Sequence, residues 1–263
     1  MNSQTKMMKA LVSSGISGTI SQVLVAASNL ISLPILVASL GKVEYGIWVL
    51  VGNALIFLAM SDFGVVNSVG RLVAKYKCDN NQDNLTSVVN TVLALLLTAG
   101  LIIAIATISL SFFVVQILNI DPNDQHVTQQ MFMIGGGLLA ITLPLRAGNG
   151  FLSGFQKYTL INYSQAALSV INLSGVCLLS ALGQLRLIEL IILYSATSLL
   201  IEAFRFYYSL TFLNTALSPK YISKAFIREI IDLASSSITT TLTTFGYRQG
   251  IVIAIAHLLS VAE

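Results

Sequence analysis

Between Tyr45 and Gly70 the chain runs for 26 residues with a single charged side chain, Asp62. A helix rising about 1.5 Å per residue over that length more than crosses a hydrocarbon layer of about 30 Å. A carboxylate within such a run costs about 2.5–3.5 kcal/mol to insert, and it is expected to face a bundle interior or a wet cavity. Asp62 sits in a Ser61-Asp62-Phe63-Gly64 turn near the middle of the run. One span has no interior of its own, so the remainder of the chain has to supply it.

It does so by repetition. Uncharged or nearly uncharged runs place spans at Ser14–Leu40, Tyr45–Gly70, Thr86–Leu118, Met131–Phe155, Thr159–Leu182, Leu187–Leu213 and Leu233–His257, each longer than the roughly 20 residues a crossing needs. Only 10% of the residues are charged, against about 25% in soluble domains, so the class is a polytopic, all-α membrane protein. Lys6 and Lys9 precede 32 uncharged residues, too long for the roughly 7–15 apolar residues of a cleaved signal, and the first run is read as a retained span. Asp121-Pro122-Asn123-Asp124 and Ser218-Pro219 separate spans.

Orientation follows from the basic residues. With the N-terminus cytoplasmic, inner segments hold Lys6, Lys9, Arg71, Lys75, Lys77, Lys157, Lys220, Lys224 and Arg228, and outer loops hold only Lys42 and Arg186. Nine against two sets the N-terminus inside. The expected domains are a six-helix lobe over 1–215, a cytoplasmic or interfacial linker over 216–232, and the first helix of a second lobe over 233–263. Charges and apolar residues interleave at helical spacing between Lys220 and Asp232, as in a helix lying on the inner leaflet or an ordinary connector. Ser14-Gly15-Ile16-Ser17-Gly18-Thr19-Ile20 is echoed by Ser236-Ser237-Ile238-Thr239-Thr240-Thr241-Leu242, as internal repeats of transporters would require. On that reading a complete second lobe needs roughly 180 residues more, and the sequence stops just after its second half begins.

Among groups that carry chemistry, no phosphate-binding G-x-x-x-x-G-K-[ST] loop occurs. Cys78, Cys177, His126 and His257 lack partners at metal-ligand spacing. No enzyme site, metal or cofactor is expected. Gly135-Gly136-Gly137 and the G-x-x-x-G of Gly150 and Gly154 point to close helix packing. The deep charges are Asp62, Arg146 in span four and Arg248 in span seven beside Gln249. Asp62 and Arg146 could pair and merely join helices. Alternatively Asp62, Arg146, Arg248 and Gln249 line a cavity whose guanidinium groups suit the oxygens of an anion. Arg205 has Glu202 three residues before it and a helix end near enough for snorkelling, which favours a structural role. Tyr45, Trp48, Tyr158, Tyr207 and Tyr208 are read as interface anchors, with stacking on a sugar ring the alternative.

Pro34, Leu40-Gly41, Tyr45-Gly46-Ile47-Trp48, Asp62-Phe63-Gly64 and Arg71 resemble, in order and spacing, the first two helices of Wzx-type bacterial polysaccharide transporters. Gly154-Phe155-Gln156-Lys157-Tyr158 and Asn162 resemble that family's segment between spans four and five. These are the O-antigen and lipid-linked oligosaccharide flippases of the multidrug/oligosaccharidyl-lipid/polysaccharide exporter (MOP) superfamily. The resemblance implies a MATE-like bundle in the bacterial inner membrane, with this chain supplying the six-helix N-lobe and the first helix of a C-lobe. It further implies alternating access that flips an undecaprenyl-pyrophosphate-linked sugar unit, with Asp62 as the carrier of a coupling proton or cation. Polysaccharide polymerase and glycosyltransferase machinery are the implied partners. Competing readings are a cation-coupled multidrug exporter of the same superfamily, a membrane scaffold that does not transport, and an inactive fragment. Arg146 and Arg248 outnumber the acid Asp62, which favours anionic cargo over organic cations.

Overall fold

The computed structural model describes residues 3–62, 64–113, 121–213, 215–235 and 243, and among them there is no strand. In order the elements are α1 (Ser3–Ala59), a 3-10 turn (Met60–Asp62), α2 (Val65–Cys78), α3 (Gln82–Ser111), α4 (Gln125–Leu145), α5 (Ala147–Gly154), α6 (Tyr158–Ala181) and α7 (Leu187–Leu213). An eighth helix, α8, covers 224–235. By length and composition α1, α3, the 122–154 unit, α6 and α7 can each cross a membrane. The chain is an all-α polytopic bundle.

α1 contains two of the expected spans. Gly41 interrupts it at φ 77°, ψ 171°, a conformation that a side chain would strain. The first arm runs parallel to α6. Asn162 Nδ2 donates to Ser17 Oγ at 3.0 Å near one end, and the hydroxyls of Ser39 and Ser180 meet at 2.9 Å near the other. The second arm runs beside α4, Leu55 against Gly135, and onward to Asp62 beside Arg146. α4 leads away from the Gly41 end while α6 leads toward it, so the chain reverses at Gly41.

Two apolar clusters hold the bundle, each buried by its own end of the helices. At the Gly41 end Leu36, Leu40, Ile47, Val51, Met131, Phe132, Leu190 and Ile191 pack together. At the opposite end Val69, Leu72, Val73, Val88, Val92, Leu143, Phe151, Leu213 and Ile230 do so. Leu97, Leu101, Ile102, Ile105 and Ile108 point outward from α3, as expected of a face toward lipid. Tyr45 and Trp48 lean on the first cluster, and Trp48 meets Tyr194 edge-on at 5.2 Å. Both are half-buried at the Gly41 end, whereas Tyr158 and Tyr207 are exposed.

The second and fourth spans are not the continuous helices that their apolar length suggests. In the former the helix stops at Ala59, turns through Met60–Asp62, and restarts at Val65 after Gly64 at φ 74°. Gly64 N–H donates to Asp62 Oδ1 at 3.1 Å, so the carboxylate covers a backbone donor that the break exposes. In the latter Pro144 removes a backbone donor and the helix divides at Arg146. α3 brings Gly100 against this weak point, where a Cβ would lie 2.6 Å from the Ala140 carbonyl oxygen.

Beyond the two breaks, α2 and α5 run side by side along a glycine seam. A Cβ on Gly150 would stand 2.7 Å from the Val66 carbonyl oxygen, and one on Gly154 would stand 2.6 Å from Val73 Cβ. Gly70 faces Ser153 in the same seam. Small residues let helices approach closely where lipid offers no hydrophobic drive. α5 then ends in a Schellman turn: Lys157 N–H donates to the Leu152 carbonyl at 2.8 Å and Gln156 N–H to Ser153 at 2.9 Å, with Gln156 at φ 56°. α2 and α6 close in the same way, with Asn80 at φ 51° and Gly183 at φ 64°.

The basic residues of the expected inner side gather at the end opposite Gly41. Lys77 lies 4.4 Å from the Phe155 ring centroid and Lys157 lies 4.6 Å from that of Phe212. The linker is docked there. Lys75 Nζ pairs with Glu229 at 2.9 Å, Arg71 donates to the Leu233 carbonyl at 3.2 Å, and Ile230 is buried. Asn90 fixes the preceding strand-like stretch, donating to the Ala216 carbonyl at 2.9 Å and accepting from Ser218 N–H at 2.8 Å. Span seven, with the hydroxyl-rich echo, lies outside the described residues apart from 233–235 and 243.

Replacing Gly154 by Ala is expected to cost about 1–3 kcal/mol through overpacking. Gly46→Ala, with nothing within 4 Å of its Cβ position, is expected to stay within about 0.5 kcal/mol. Thermal unfolding of the detergent-purified chain, followed by tryptophan fluorescence, separates the two. Equal losses would mean that the α2–α5 seam is not tightly packed.

Candidate substrate cavity

Between the two apolar clusters α7 changes character. Ser195, Ser198, Glu202 and Arg205 recur on it at helical spacing, and the α4–α5 unit answers with Thr142, Arg146 and Asn149. A cavity of about 170 Å³ opens at this level. Its walls are Leu55, Ile56 and Ala59 from the second arm of α1, Gly135, Leu139, Thr142 and Arg146 from the α4 side, and Tyr194, Ser195 and Ser198 from α7. That volume holds several waters, since each occupies about 30 Å³ in the liquid.

Arg146 is half-buried at the junction of α4 and α5, where the break turns its side chain into the bundle. Among the described residues its guanidinium forms no ion pair within 4.0 Å and no hydrogen bond. Asp62 and Glu202 both lie within its Coulombic range. Asp62 and Arg146 are therefore brought to one level, as expected, without the mutual ion pair that would have spent both charges. Asp62 itself does not line the cavity.

Arg205 departs from its expected behaviour. It keeps the pair with Glu202, Nη1 to Oε1 at 2.9 Å, yet it does not snorkel: its side chain is only 3% exposed. Nε donates to Ser164 Oγ at 2.6 Å, and Nη2 donates to the Ile161 carbonyl at 3.1 Å and to Gln165 Oε1 at 3.2 Å. Each nitrogen of this guanidinium is engaged by α6 or α7, which leaves Arg146, among the described residues, as the cation without a hydrogen-bond partner at this level. A second polar bridge between the same helices joins Thr197 Oγ1 to Asn172 Oδ1 at 2.6 Å.

Asn149 was not singled out by its sequence, and Glu202 was read only as the partner of Arg205. Asn149 Nδ2 donates to Glu202 Oε1 at 3.4 Å, while Glu202 Oε2 and Asn149 Oδ1 are buried without a donor. The available signal was the spacing of Asn149 three residues after Arg146, on the same helical face. With Glu202 included, the deep charges of the described residues are two acids and two bases, so a simple count no longer favours anionic cargo. Arg248 and Gln249 lie outside the described residues.

The motif residues occupy structural positions. Tyr45, Gly46 and Trp48 flank the Gly41 corner, Gly64 restarts a helix, Arg71 reaches the linker, and Gly154, Gln156, Lys157 and Tyr158 form the α5–α6 turn. Asn162 ties α6 to the first arm through Ser17 and the Ser14 carbonyl. No group of three or more metal-ligating side chains occurs among the described residues.

Arg205→Ala strands Glu202 in the bundle and is expected to cost about 3–5 kcal/mol, the usual penalty for breaking a buried pair from one side. Arg146→Ala removes no ion pair and is expected to cost less than about 1 kcal/mol. Denaturant or thermal unfolding in detergent tests the contrast, and a reversed order would mean that Arg146 holds the helices together.

No protein-family model matches the sequence. No curated protein matches it either. Solved structures do. A MATE transporter solved in complex with MaD3S superposes with a TM-score of 0.74 at 16% identity, over 89% of this chain and 53% of that one. A MOP superfamily transporter from Pyrococcus furiosus gives 0.71 at 16% identity, over 89% and 52%. An outward-facing multidrug resistance MATE transporter gives 0.69 at 17% identity, over 90% and 54%. The chain thus spans about half the length of the transporters it matches, and it has the fold of the corresponding part of a MOP-superfamily transporter.

Proposed function

We propose that the chain is the N-terminal lobe of a transporter that moves an anionic, lipid-linked oligosaccharide between the leaflets of a bacterial inner membrane, its N-terminus cytoplasmic. The observation that carries this reading is the unspent Arg146 guanidinium at a cavity otherwise walled by hydroxyls and apolar side chains. An unpaired guanidinium at membrane depth is costly, and a pyrophosphate-type headgroup would offer the bidentate acceptors that match it. Motion of one lobe against another would expose the cavity to each side in turn, and the proposed role is transport, not catalysis. Asp62, within range of Arg146, remains the proposed coupling carboxylate, and Arg248 and Gln249 are proposed to reach the same chamber from the second lobe. The polymerase and glycosyltransferase partners are proposed on the same footing.

One of the matched structures, from Pyrococcus furiosus, is described as having a binding pocket whose reverse polarity suggests a different function. A multidrug exporter is the second reading, and the two deep carboxylates Asp62 and Glu202 favour it.

The test is binding to the purified chain in nanodiscs of a polyprenyl pyrophosphate and, separately, of a fluorescent lipophilic cation. The pyrophosphate lipid is expected to bind, and Arg146→Ala to weaken it about tenfold to a hundredfold, the value of a charge-assisted contact of about 1.5–3 kcal/mol. Tight binding of the cation, with an Arg146→Ala chain indistinguishable from wild type toward the lipid, would replace this reading with the exporter.

A further inference from the structure

Two acceptor atoms without donors lie beside one cation with donors to spare. Glu202 Oε2 and Asn149 Oδ1 are buried and unpartnered, and their side chains meet through Asn149 Nδ2 and Glu202 Oε1. Glu202 stands one turn beyond Ser198 on α7, and Asn149 three residues beyond Arg146. By helical spacing both lie about one turn beyond Ser198 and Arg146, next to the cavity these two line though not among its walls. Arg205 does not satisfy Oε2: its Nη1 meets Oε1 instead, and Nε and Nη2 are held by Ser164, Ile161 and Gln165.

Building on the anionic-cargo reading, we infer that Glu202 competes with the anion for Arg146, so that anion binding in the cavity is linked to uptake of one proton by Glu202. Arg146 lies within Coulombic range of two carboxylates, Glu202 and Asp62. An anion that engages Arg146 draws it away from Glu202, whose charge is then shared with Arg205 alone in a dry setting. A proton from solvent on Oε2 removes that charge and converts the orphan acceptor into a donor, with the orphan Asn149 Oδ1 on the adjoining side chain to receive it. No other bond is made or broken. Arg205 keeps its place through its three α6 acceptors while Glu202 changes charge.

Among the described residues, the charged groups within range of Glu202 are Arg205 from its own helix and Arg146 from the α4–α5 junction. α5 contributes neutral Asn149, α6 neutral Ser164 and Gln165, and the second arm of α1 the apolar Leu55, Ile56 and Ala59. Tyr194 lies further along the cavity wall.

The experiment measures binding of inorganic sulfate, whose charge is constant over the range, to the purified chain by calorimetry at about pH 5 and about pH 8; linkage to one proton gives up to about a tenfold change in Kd per pH unit. Wild type is expected to bind more tightly at the lower pH. Glu202→Gln is expected to bind equally at both, and Asp62→Asn is expected to keep the wild-type dependence. Glu202→Asp retains a charge beside Arg205, protecting the fold, and is expected to keep the dependence with a displaced midpoint. Binding that needs Arg146 but keeps its full pH dependence in Glu202→Gln, or loses it only in Asp62→Asn, overturns this inference and leaves the anionic-cargo reading standing. An unmoved midpoint in Glu202→Asp likewise overturns it. Wild-type binding that survives Arg146→Ala, or no binding at either pH, removes the cargo reading and this inference with it.

Discussion

A helix that breaks inside a membrane exposes backbone groups that no water will satisfy, and this constraint organises the molecule. The described residues show two such breaks, at Asp62–Gly64 and at Pro144–Arg146, in parallel helices and at one level. At the first, Asp62 accepts from Gly64 N–H; at the second, the Gly100 backbone packs closely over the Ala140 carbonyl that Pro144 leaves without its helical donor. The matched interruptions allow α2 and α5 to continue as a pair along their glycine seam, and they set Asp62 and Arg146 at the polar level between the two apolar clusters.

That level is arranged by commitment as much as by charge. Two guanidinium groups occupy it, but one is bound to four acceptors on two helices and the other to none that the described residues supply. A buried ion pair seldom adds net stability. The surrounding hydrogen bonds give the Glu202–Arg205 pair its value, because they fix the spacing of α6 and α7. Arg146 has no such network, and its side chain is the one that the bundle leaves available.

Much of this architecture was legible in the sequence because a bilayer imposes a blunt rule on composition. Span six was read with its observed bounds, and span five to within a residue at each end. The first two spans were read as separate, and the structure divides them at Gly41 without an intervening loop. The turn at Asp62 was visible in its residues. The division at Arg146 was not, although Pro144 announced it, because hydropathy averages over a break. Arg205 was read as structural and paired with Glu202, which it is, but it does not snorkel to the nearby helix end, because the face it occupies, toward Ser164 and Gln165, holds it inside. Asn149 and Glu202 acquire meaning only once two helices distant in sequence are set side by side.

The bonds between the first arm of α1 and α6 reach further than local packing. Asn162 grips Ser17 near one margin and Ser39 meets Ser180 near the other, some twenty residues apart along each rod. Pinned at both extremities, the two rods cannot slide or roll past one another without giving up a polar contact. The chain leaves this joined pair at the glycine corner on one side and at the short turn after Phe155 on the other.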